Sequence, residues 1–122
     1  MKRLHDSAIY GASTELLCAA QLIERGWEVA FPFIESSAID LIAFRDGTFI
    51  PIQVKSGRRI VRGSAIISKQ FSKYAGVDFI ICYDVINRRW FIFEYKDLDG
   101  RGSVTLSPRK HARNHENWDL LR

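Results

Sequence analysis

The first part of the chain changes from a helical to an alternating pattern of apolar and polar residues. Over residues 7–25 the apolar positions recur at helical spacing and Gly26 supplies a stop, so the pattern predicts an amphipathic helix. Alternating apolar residues then predict strands at 27–33, 39–45 and 48–55. The dipeptide Asp46-Gly47 is a strong hairpin signal, so the last two of these strands are expected to pair antiparallel.

The second part of the chain predicts two more helices and two more strands. The helices are expected at about 65–74 and from Ser107-Pro108 onward, where Ser107 suits the N-cap and Pro108 the first helical position. The strands are expected at 77–85 and 89–95, and a short segment follows at 104–106; the strand at 77–85 is a nearly continuous apolar run, which is typical of a strand covered on both faces. The main order α-β-β-β-α-β-β-α predicts an α/β domain with helices flanking a mixed sheet.

Length and composition fit one soluble globular domain over residues 1–122, because 47% of the residues are apolar and 26% are charged. No apolar run reaches the length of a membrane span, and the first residues lack the apolar core of a secretory signal. Cys18 and Cys82 lie inside apolar runs, as buried thiols of a reducing compartment do. We therefore expect a cytoplasmic protein that does not enter membranes.

Positive charge is concentrated in the second half of the chain. Residues 1–57 contain five Lys or Arg against seven Asp or Glu (net −2), whereas residues 58–122 contain thirteen against seven (net +6). Each basic cluster is ordinary solvated surface when taken singly, but several in one small domain favour a nucleic-acid partner. The clusters are Arg58-Arg59 with Arg62, Arg88-Arg89, and Arg109-Lys110 with Arg113. His5, His111 and His115 have no partners at metal-site spacing and are expected on the solvated surface.

One carboxylate lies on the apolar side of the first predicted helix. At about 100° per residue, Glu15 projects between Ala19 and Leu22, within an arc that also holds Leu16, Ala20 and Ile23. A carboxylate among core positions must be paired, protonated or bound to a metal, because a lone buried charge is costly. The alternative is a partly solvated Glu15 near the helix start that caps backbone amides.

Three polar side chains are predicted to meet on the hairpin. Asp40 stands in an otherwise apolar strand, while Gln53 and Lys55 are two residues apart and therefore share one face of the partner strand. A structural Asp–Lys ion pair would also explain two of them. Hydrolysis of a phosphodiester needs a cation with hard oxygen ligands. Asp40 and Glu15 could supply anionic oxygen, Gln53 and the Val54 carbonyl neutral oxygen, and Lys55 could serve the attacking water.

This arrangement resembles the PD-(D/E)xK nuclease superfamily. The resemblance rests on Asp40 followed by Gln53-Val54-Lys55, on the upstream helix that carries Glu15, and on the ending Asn117-Trp118-Asp119-Leu120. It implies a restriction-endonuclease-like core, with a central mixed sheet of about four to five strands flanked by helices. It also implies Mg²⁺- or Mn²⁺-dependent cleavage of duplex or branched DNA by a homodimer or homotetramer. The apolar strand at 89–95 exceeds what one small domain is expected to cover, which also favours self-association.

Two residues depart from the pattern that names the superfamily. Ile39 replaces the proline, and Gln53 replaces the usual acid. Gln at this position resembles the homing-endonuclease branch, whereas Ser36 or Ser37 before Asp40 would suit a Holliday junction resolvase. A neutral amide is a weaker Mg²⁺ ligand, so a catalytically weak DNA-binding or assembly module descended from a nuclease is a third interpretation.

DNA contacts are expected mainly in the segment that follows the active-site strand. Arg58, Arg59 and Arg62 are predicted in a loop that leaves this strand, and Lys69 and Lys73 on one face of the following helix, with Gln70 able to reach a base edge. The predicted DNA-binding residues are Ser36, Ser37, Arg58, Arg59, Arg62, Lys69, Gln70 and Lys73.

Overall fold

The computed structural model describes residues 6–33 and 38–122. Helix α1 (Asp6–Glu24) confirms the predicted first helix to within one residue at each end. It ends in a Schellman motif, because the amides of Gly26 and Trp27 donate to the carbonyls of Ile23 and Leu22, both at 3.0 Å. Gly26 has φ +90°, which explains why glycine stands at this stop. Within the described ranges no helix combines the length and apolar content of a membrane crossing.

In residues 6–33 and 38–122, eight strands form two sheets. The strands are β1 (Glu28–Ala30), β2 (Leu41–Arg45), β3 (Thr48–Gly57), β4 (Arg59–Val61), β5 (Ser64–Ser68), β6 (Phe79–Asp84), β7 (Arg89–Glu94) and β8 (Ser103–Leu106). The central sheet has the order β1-β2-β3-β6-β7, with β3 and β6 parallel and the other neighbours antiparallel. The prediction of an α/β fold around a mixed sheet of four to five strands is therefore confirmed.

The helix expected at residues 65–74 is wrong, because this segment forms a hairpin of β4 and β5 followed by a 3₁₀ turn at Phe71–Tyr74. Arg62 and Gly63 connect the strands with φ +52° and +83°, the left-handed pair that a tight hairpin turn requires. Along β5 the burial alternates, since Ala65 and Ile67 are inside and Ser68 is exposed. The third strand of this small sheet is β8, which pairs with β5.

The helix expected from Ser107 onward is also wrong. Ser107 accepts the amide of Lys110 at 3.3 Å and caps a single turn, after which the chain runs along the outer edge of β7. The amide of Glu116 donates to the Trp90 carbonyl at 2.8 Å, and the amide of Ile92 donates to the Asn114 carbonyl at 3.0 Å. The tail therefore uses its backbone groups to cover a sheet edge, which stabilises it more than an isolated helix would.

The central sheet is covered on both faces. One core lies between the sheet and α1 and contains Leu22, Leu41, Ile52, Ile81 and Ile92. The other lies between the sheet and the small sheet and contains Phe71, Ile80, Phe91, Phe93 and Leu106. The four residues 90–93 of β7 are all buried within the domain. The expectation that this strand leaves apolar surface for self-association is therefore wrong.

A buried aspartate closes the hairpin between β6 and β7. Asp84 is 0% exposed, and its Oδ1 accepts the amides of Ile86 and Asn87, both at 3.0 Å. Its Oδ2 accepts Nδ2 of Asn87 at 2.9 Å and Nε of Arg89 at 3.1 Å. The carboxylate thus satisfies four donors at one turn.

We expect Asp84→Ala to lower the free energy of unfolding by about 3 kcal/mol, because it leaves these donors, one of them charged, without their acceptor. Urea denaturation measures the loss. Asp97→Ala is the matched control, since Asp97 makes only an exposed ion pair with Arg113 at 3.8 Å and should cost less than about 1 kcal/mol. Equal stability of the two variants would contradict this role for Asp84.

Candidate active site

Asp40 lies at the entrance to β2 with its carboxylate turned toward β3. Its amide donates to the Ile52 carbonyl at 2.9 Å, which extends the pairing of β2 with β3 by one residue. Its Oδ2 accepts the amide of Val54 at 2.8 Å and also the side-chain amide of Gln53. The polar residue that interrupts the apolar strand is therefore held against Gln53 and Val54, as the sequence predicted.

Gln53 is buried in the middle of the sheet, with 5% of its surface exposed. Its Nε2 donates both to Oδ2 of Asp40 and to the Val54 carbonyl, the latter at 3.3 Å. One NH₂ group, whose hydrogens carry positive partial charge, thus lies between two oxygens that are both suitable ligands for a hard cation. A half-turn of the amide would exchange its nitrogen for its oxygen at this place.

Lys55 follows on the same face of β3, between the central sheet and the small sheet. Its Nζ lies 4.7 Å from the centre of the Tyr74 ring, within the range of a cation–π contact. Tyr74 belongs to the 3₁₀ turn and is half-buried. No role for Tyr74 could be predicted from sequence, because this contact depends on the turn and strand that replaced the expected helix.

Burial dominates the electrostatics of Asp40. It raises the pKa of the carboxyl, and three smaller effects lower it: the Val54 amide, the positive charge of Lys55 and the Gln53 amide. The carboxylate form is therefore disfavoured by desolvation, although its neighbours are arranged to stabilise it. A cation bound to Asp40 would favour the charged form further.

Glu15 lies on the half of α1 that faces the sheet and is half-buried. Burial raises the pKa of the Cys18 thiol, and the negative charges of Asp40 and Glu15 raise it further. Both acids are thus close enough to act on one buried thiol, three residues after Glu15 on the same helix. This places Glu15 on the side of the helix that faces Asp40. The prediction that Leu16, Ala20 and Ile23 share this buried side of the helix is wrong, since all three are exposed.

The basic residues expected to contact DNA are distributed over three positions around the small sheet: a groove, the tip of the β4–β5 hairpin, and the 3₁₀ turn that contains Lys73. Arg58, Arg59 and Lys69 line one groove of about 480 Å³, together with Ser56 and Ser68. Arg62 is exposed at the tip of the β4–β5 hairpin. Ser56, the residue after Lys55 in β3, also lines this groove, so the groove lies next to the candidate site along the chain.

Several predictions about this segment need correction or lie outside the described residues. Arg59 lies in β4 and not in the expected loop, whereas Arg58 lies between β3 and β4 and Arg62 in the tight hairpin turn. The guanidinium of Arg58 stacks 4.6 Å from the centre of the Tyr10 ring. Lys69, Gln70 and Lys73 are exposed but share no helix face, because the helix does not form. Ser36 and Ser37 fall outside the described residues.

Among residues 6–33 and 38–122, no group of three His, Cys, Asp or Glu side chains could hold a metal ion. The candidate site differs from such a cluster because it combines two acids with an amide and a carbonyl. His111 and His115 pack on Phe93 and Phe91 with ring centres 5.2 Å apart in each pair, so they are not purely solvated. His5 lies outside the described residues.

Three known proteins resemble this chain in sequence or in fold. Protein 5.3 of Escherichia phage T7 is 26% identical over 113 residues, which cover 87% of this chain and 95% of that protein. The bacterial homing endonuclease I-Ssp6803I has a similar fold with a TM-score of 0.85, at 17% identity, over 97% of this chain and 92% of its own. The Holliday junction resolvase Hjc of Archaeoglobus fulgidus follows with a TM-score of 0.64, at 13% identity, over 91% and 94%.

The sequence profile of the PD-(D/E)XK endonuclease family matches residues 5–90. This range contains α1 with Glu15, the β2–β3 hairpin with Asp40, Gln53 and Lys55, and strand β6. The match covers well over half of the chain and includes every residue of the candidate site. The chain belongs to the PD-(D/E)XK endonuclease family.

Proposed function

We propose that the protein is an endodeoxyribonuclease of the homing or restriction-like branch that hydrolyses phosphodiester bonds with Mg²⁺ or Mn²⁺. The observation that carries the proposal is the convergence of the Asp40 carboxylate, the Gln53 amide and the Val54 carbonyl beside Lys55. Family membership supports nuclease chemistry at this place.

The donors present fit a hard divalent cation. Asp40 and the Val54 carbonyl would hold it, with Gln53 contributing its amide oxygen and Glu15 a second negative charge, directly or through water. This fit rests on Oδ2 of Asp40 and the Val54 carbonyl, which both accept hydrogen bonds from Nε2 of Gln53. A cation would replace these hydrogen bonds. When bound, the cation would neutralise charge on the phosphate and lower the pKa of a water molecule.

The protein's own residues would do the remaining work. Lys55 would place its ammonium beside the attacking water or the phosphate oxygens and oppose the negative charge that develops there. Tyr74 would hold that ammonium over its ring, which limits the positions that a long, flexible side chain can adopt. Because Gln53 is buried in the sheet, its side-chain amide, the proposed neutral ligand, would have little mobility.

The groove of Arg58, Arg59 and Lys69 would hold the phosphates that flank the cleavage position. Contacts of this kind give affinity without sequence information and weaken as salt is raised, because bound cations are released from the DNA. Arg62 at the hairpin tip and Gln70 before the 3₁₀ turn are the candidates for contacts beyond this groove.

The closer fold similarity to the homing endonuclease than to the resolvase supports the first branch. A panel of linear duplex, supercoiled plasmid and four-way junction, each with Mg²⁺ or with a chelator, separates the branches. Cleavage of duplex substrates supports the proposal. Symmetric cleavage confined to the junction would instead favour a Holliday junction resolvase.

A non-catalytic DNA-binding or assembly module is the second candidate function. The observation that favours it is the Gln53 amide, which stands where the family has an acid and already partners Asp40. Calorimetric titration with Mg²⁺ and Mn²⁺ discriminates between the two, because an inert scaffold should bind neither ion at millimolar concentration.

We expect Tyr74→Leu to lower kcat about fivefold while KM and the melting temperature stay near the wild-type values, since the cation–π contact contributes about 1 kcal/mol. Tyr74→Phe is the matched control, because it keeps the ring face and should retain kcat within about twofold. Steady-state cleavage kinetics provide both values. If the Phe variant is as slow as the Leu variant, the hydroxyl group and not the ring is responsible.

A further inference from the structure

Helix α1 is apolar on the side turned away from the sheet as well as on the side packed against it. Thr14, Cys18, Ala19 and Leu22 are buried against the sheet. The opposite face consists of the exposed residues Ile9, Tyr10, Ala12, Ser13, Leu16, Leu17, Ala20 and Ile23, with Glu24 at its end. A helix that is apolar all round is normally covered all round, but Leu16, Ala20 and Ile23 are exposed, and the contact given for this face is that of the Arg58 guanidinium with the Tyr10 ring at its edge.

The large residues of this face are well exposed. Leu16 is 64% exposed, Ile23 58% and Leu17 48%, and Tyr10 and Ile9 are 42% and 41% exposed. With the small residues between them, the face presents roughly 600 Å² per copy, so a symmetric pair would bury about 1,200 Å², the lower end for stable interfaces. This area is sufficient for a second copy of the chain.

The apolar residues along the centre of this face are arranged symmetrically in the sequence. Ile9, Ala12, Leu16, Ala20 and Ile23 follow one another at spacings of three, four, four and three residues, which keeps them on one stripe. About Leu16 the stripe is symmetric, with alanine on both sides at four residues and isoleucine on both sides at seven. In an antiparallel pair related by a two-fold axis at Leu16, Ile9 therefore meets Ile23 of the partner subunit, and Ala12 meets Ala20 of the partner subunit.

The charges around the face agree with this arrangement. The helix itself contributes no Lys or Arg to this face between Ile9 and Ile23. The cations beside it, Arg58 on the Tyr10 ring and Arg88 near Ile9 and Leu17, lie at one edge of the face and not on the stripe through Leu16. Glu24 ends the face and in an antiparallel pair would approach the N-terminal end of the other helix, where the helix dipole stabilises a carboxylate. The small alanines beside Leu16 leave room for the large side chains of the other copy.

We propose that α1 forms the interface of a homodimer, in which the two helices cross antiparallel on a two-fold axis at Leu16. The proposal does not depend on the proposed nuclease activity, because it concerns a surface away from Lys55 and its readout is mass. The proposed self-association surface is therefore α1 and not β7, because residues 90–93 of β7 are buried within the domain.

Sedimentation velocity at about 50 µM tests the interface, with a monomer mass of 14.1 kDa as the reference. We expect twice this mass for the wild type and the monomer mass for Leu16→Glu. The circular dichroism spectra of the two proteins should be the same. Phe49→Glu is the matched control, because Phe49 is 66% exposed but lies on β3, and it should remain dimeric. A monomeric wild type, a dimeric Leu16→Glu or a monomeric Phe49→Glu variant would overturn the proposal.

Cross-linking tests the antiparallel geometry. Leu16→Cys should form a disulfide-linked dimer on oxidation, because the two copies of this residue meet at the axis. Ile23→Cys should not, because its two copies would be about 20 Å apart at 1.5 Å per residue. The native Cys18 and Cys82 are buried and do not compete. Efficient cross-linking through Ile23→Cys would show a parallel pair and contradict the proposed geometry.

Discussion

Asp40→Ala is expected to reduce DNA cleavage at least about 1,000-fold, because a bound cation supplies several kcal/mol of charge stabilisation and Asp40 is its principal anionic ligand. DNA binding should remain, since the groove of Arg58, Arg59 and Lys69 is unchanged. Single-turnover cleavage and fluorescence anisotropy measure the two effects separately. Parallel loss of binding and cleavage would point to a damaged fold.

Asp40→Asn is the isosteric control for this variant. Its side-chain oxygen can still accept the Val54 amide, so the fold should be retained while the negative charge is lost. Burial raises the pKa of Asp40, which means that the ionised carboxylate destabilises the folded protein as the pH rises above the group's ordinary pKa. The Asn variant should therefore be at least as stable as the wild type at neutral pH, and this advantage should disappear at acidic pH.

Lys55→Ala is expected to lower the single-turnover rate by about 100- to 1,000-fold, the range found when a single electrostatic donor is removed from an active site. Metal binding should persist, because Lys55 is not a ligand. Lys55→Arg should recover little activity, since a guanidinium differs from an ammonium in shape and cannot adopt the same position over Tyr74. Full activity of the Arg variant would indicate that charge alone matters.

The central hairpin could be predicted from sequence because its signals are local. Asp46 and Gly47 have φ +49° and +79°, the tight-turn conformation that this dipeptide favours, and the turn sets the register of β2 and β3. Alternation along β3 then places Gln53 and Lys55 on one face, and the register brings Asp40 to Gln53. The relative positions of three of the four proposed catalytic residues therefore follow from the hairpin turn and from the alternation of side chains along a strand.

The second half could not be predicted in the same way because its structure depends on distant partners. β5 is a strand because it pairs with β8, some forty residues later, and covers the central sheet. Residues 107–117 form no helix because they cover the open edge of β7, and a short 3₁₀ turn follows at Trp118–Leu120. The contact of Tyr74 with Lys55 joins the 3₁₀ turn at Phe71–Tyr74 to β3, so it has no local signal in the sequence.

Helix α1 illustrates a different limit. Its apolar residues predicted the helix correctly, but they surround it, so periodicity alone could not decide which side faces the sheet. Glu15 was placed correctly between Ala19 and Leu22, whereas Leu16, Ala20 and Ile23 were assigned to the wrong side. The exposure of these three residues, which the sequence pattern hid, is the feature that led to the proposed dimer.

The most direct test of the proposed function is the initial rate of plasmid nicking by chelator-treated protein as Mg²⁺ is added, with the wild type and Lys55→Ala measured side by side. We expect the wild-type rate to rise from background and saturate, and the Lys55→Ala rate to stay at background at every Mg²⁺ concentration. Wild-type cleavage in the presence of chelator, no cleavage at any metal concentration, or undiminished cleavage by Lys55→Ala would contradict the proposed active site.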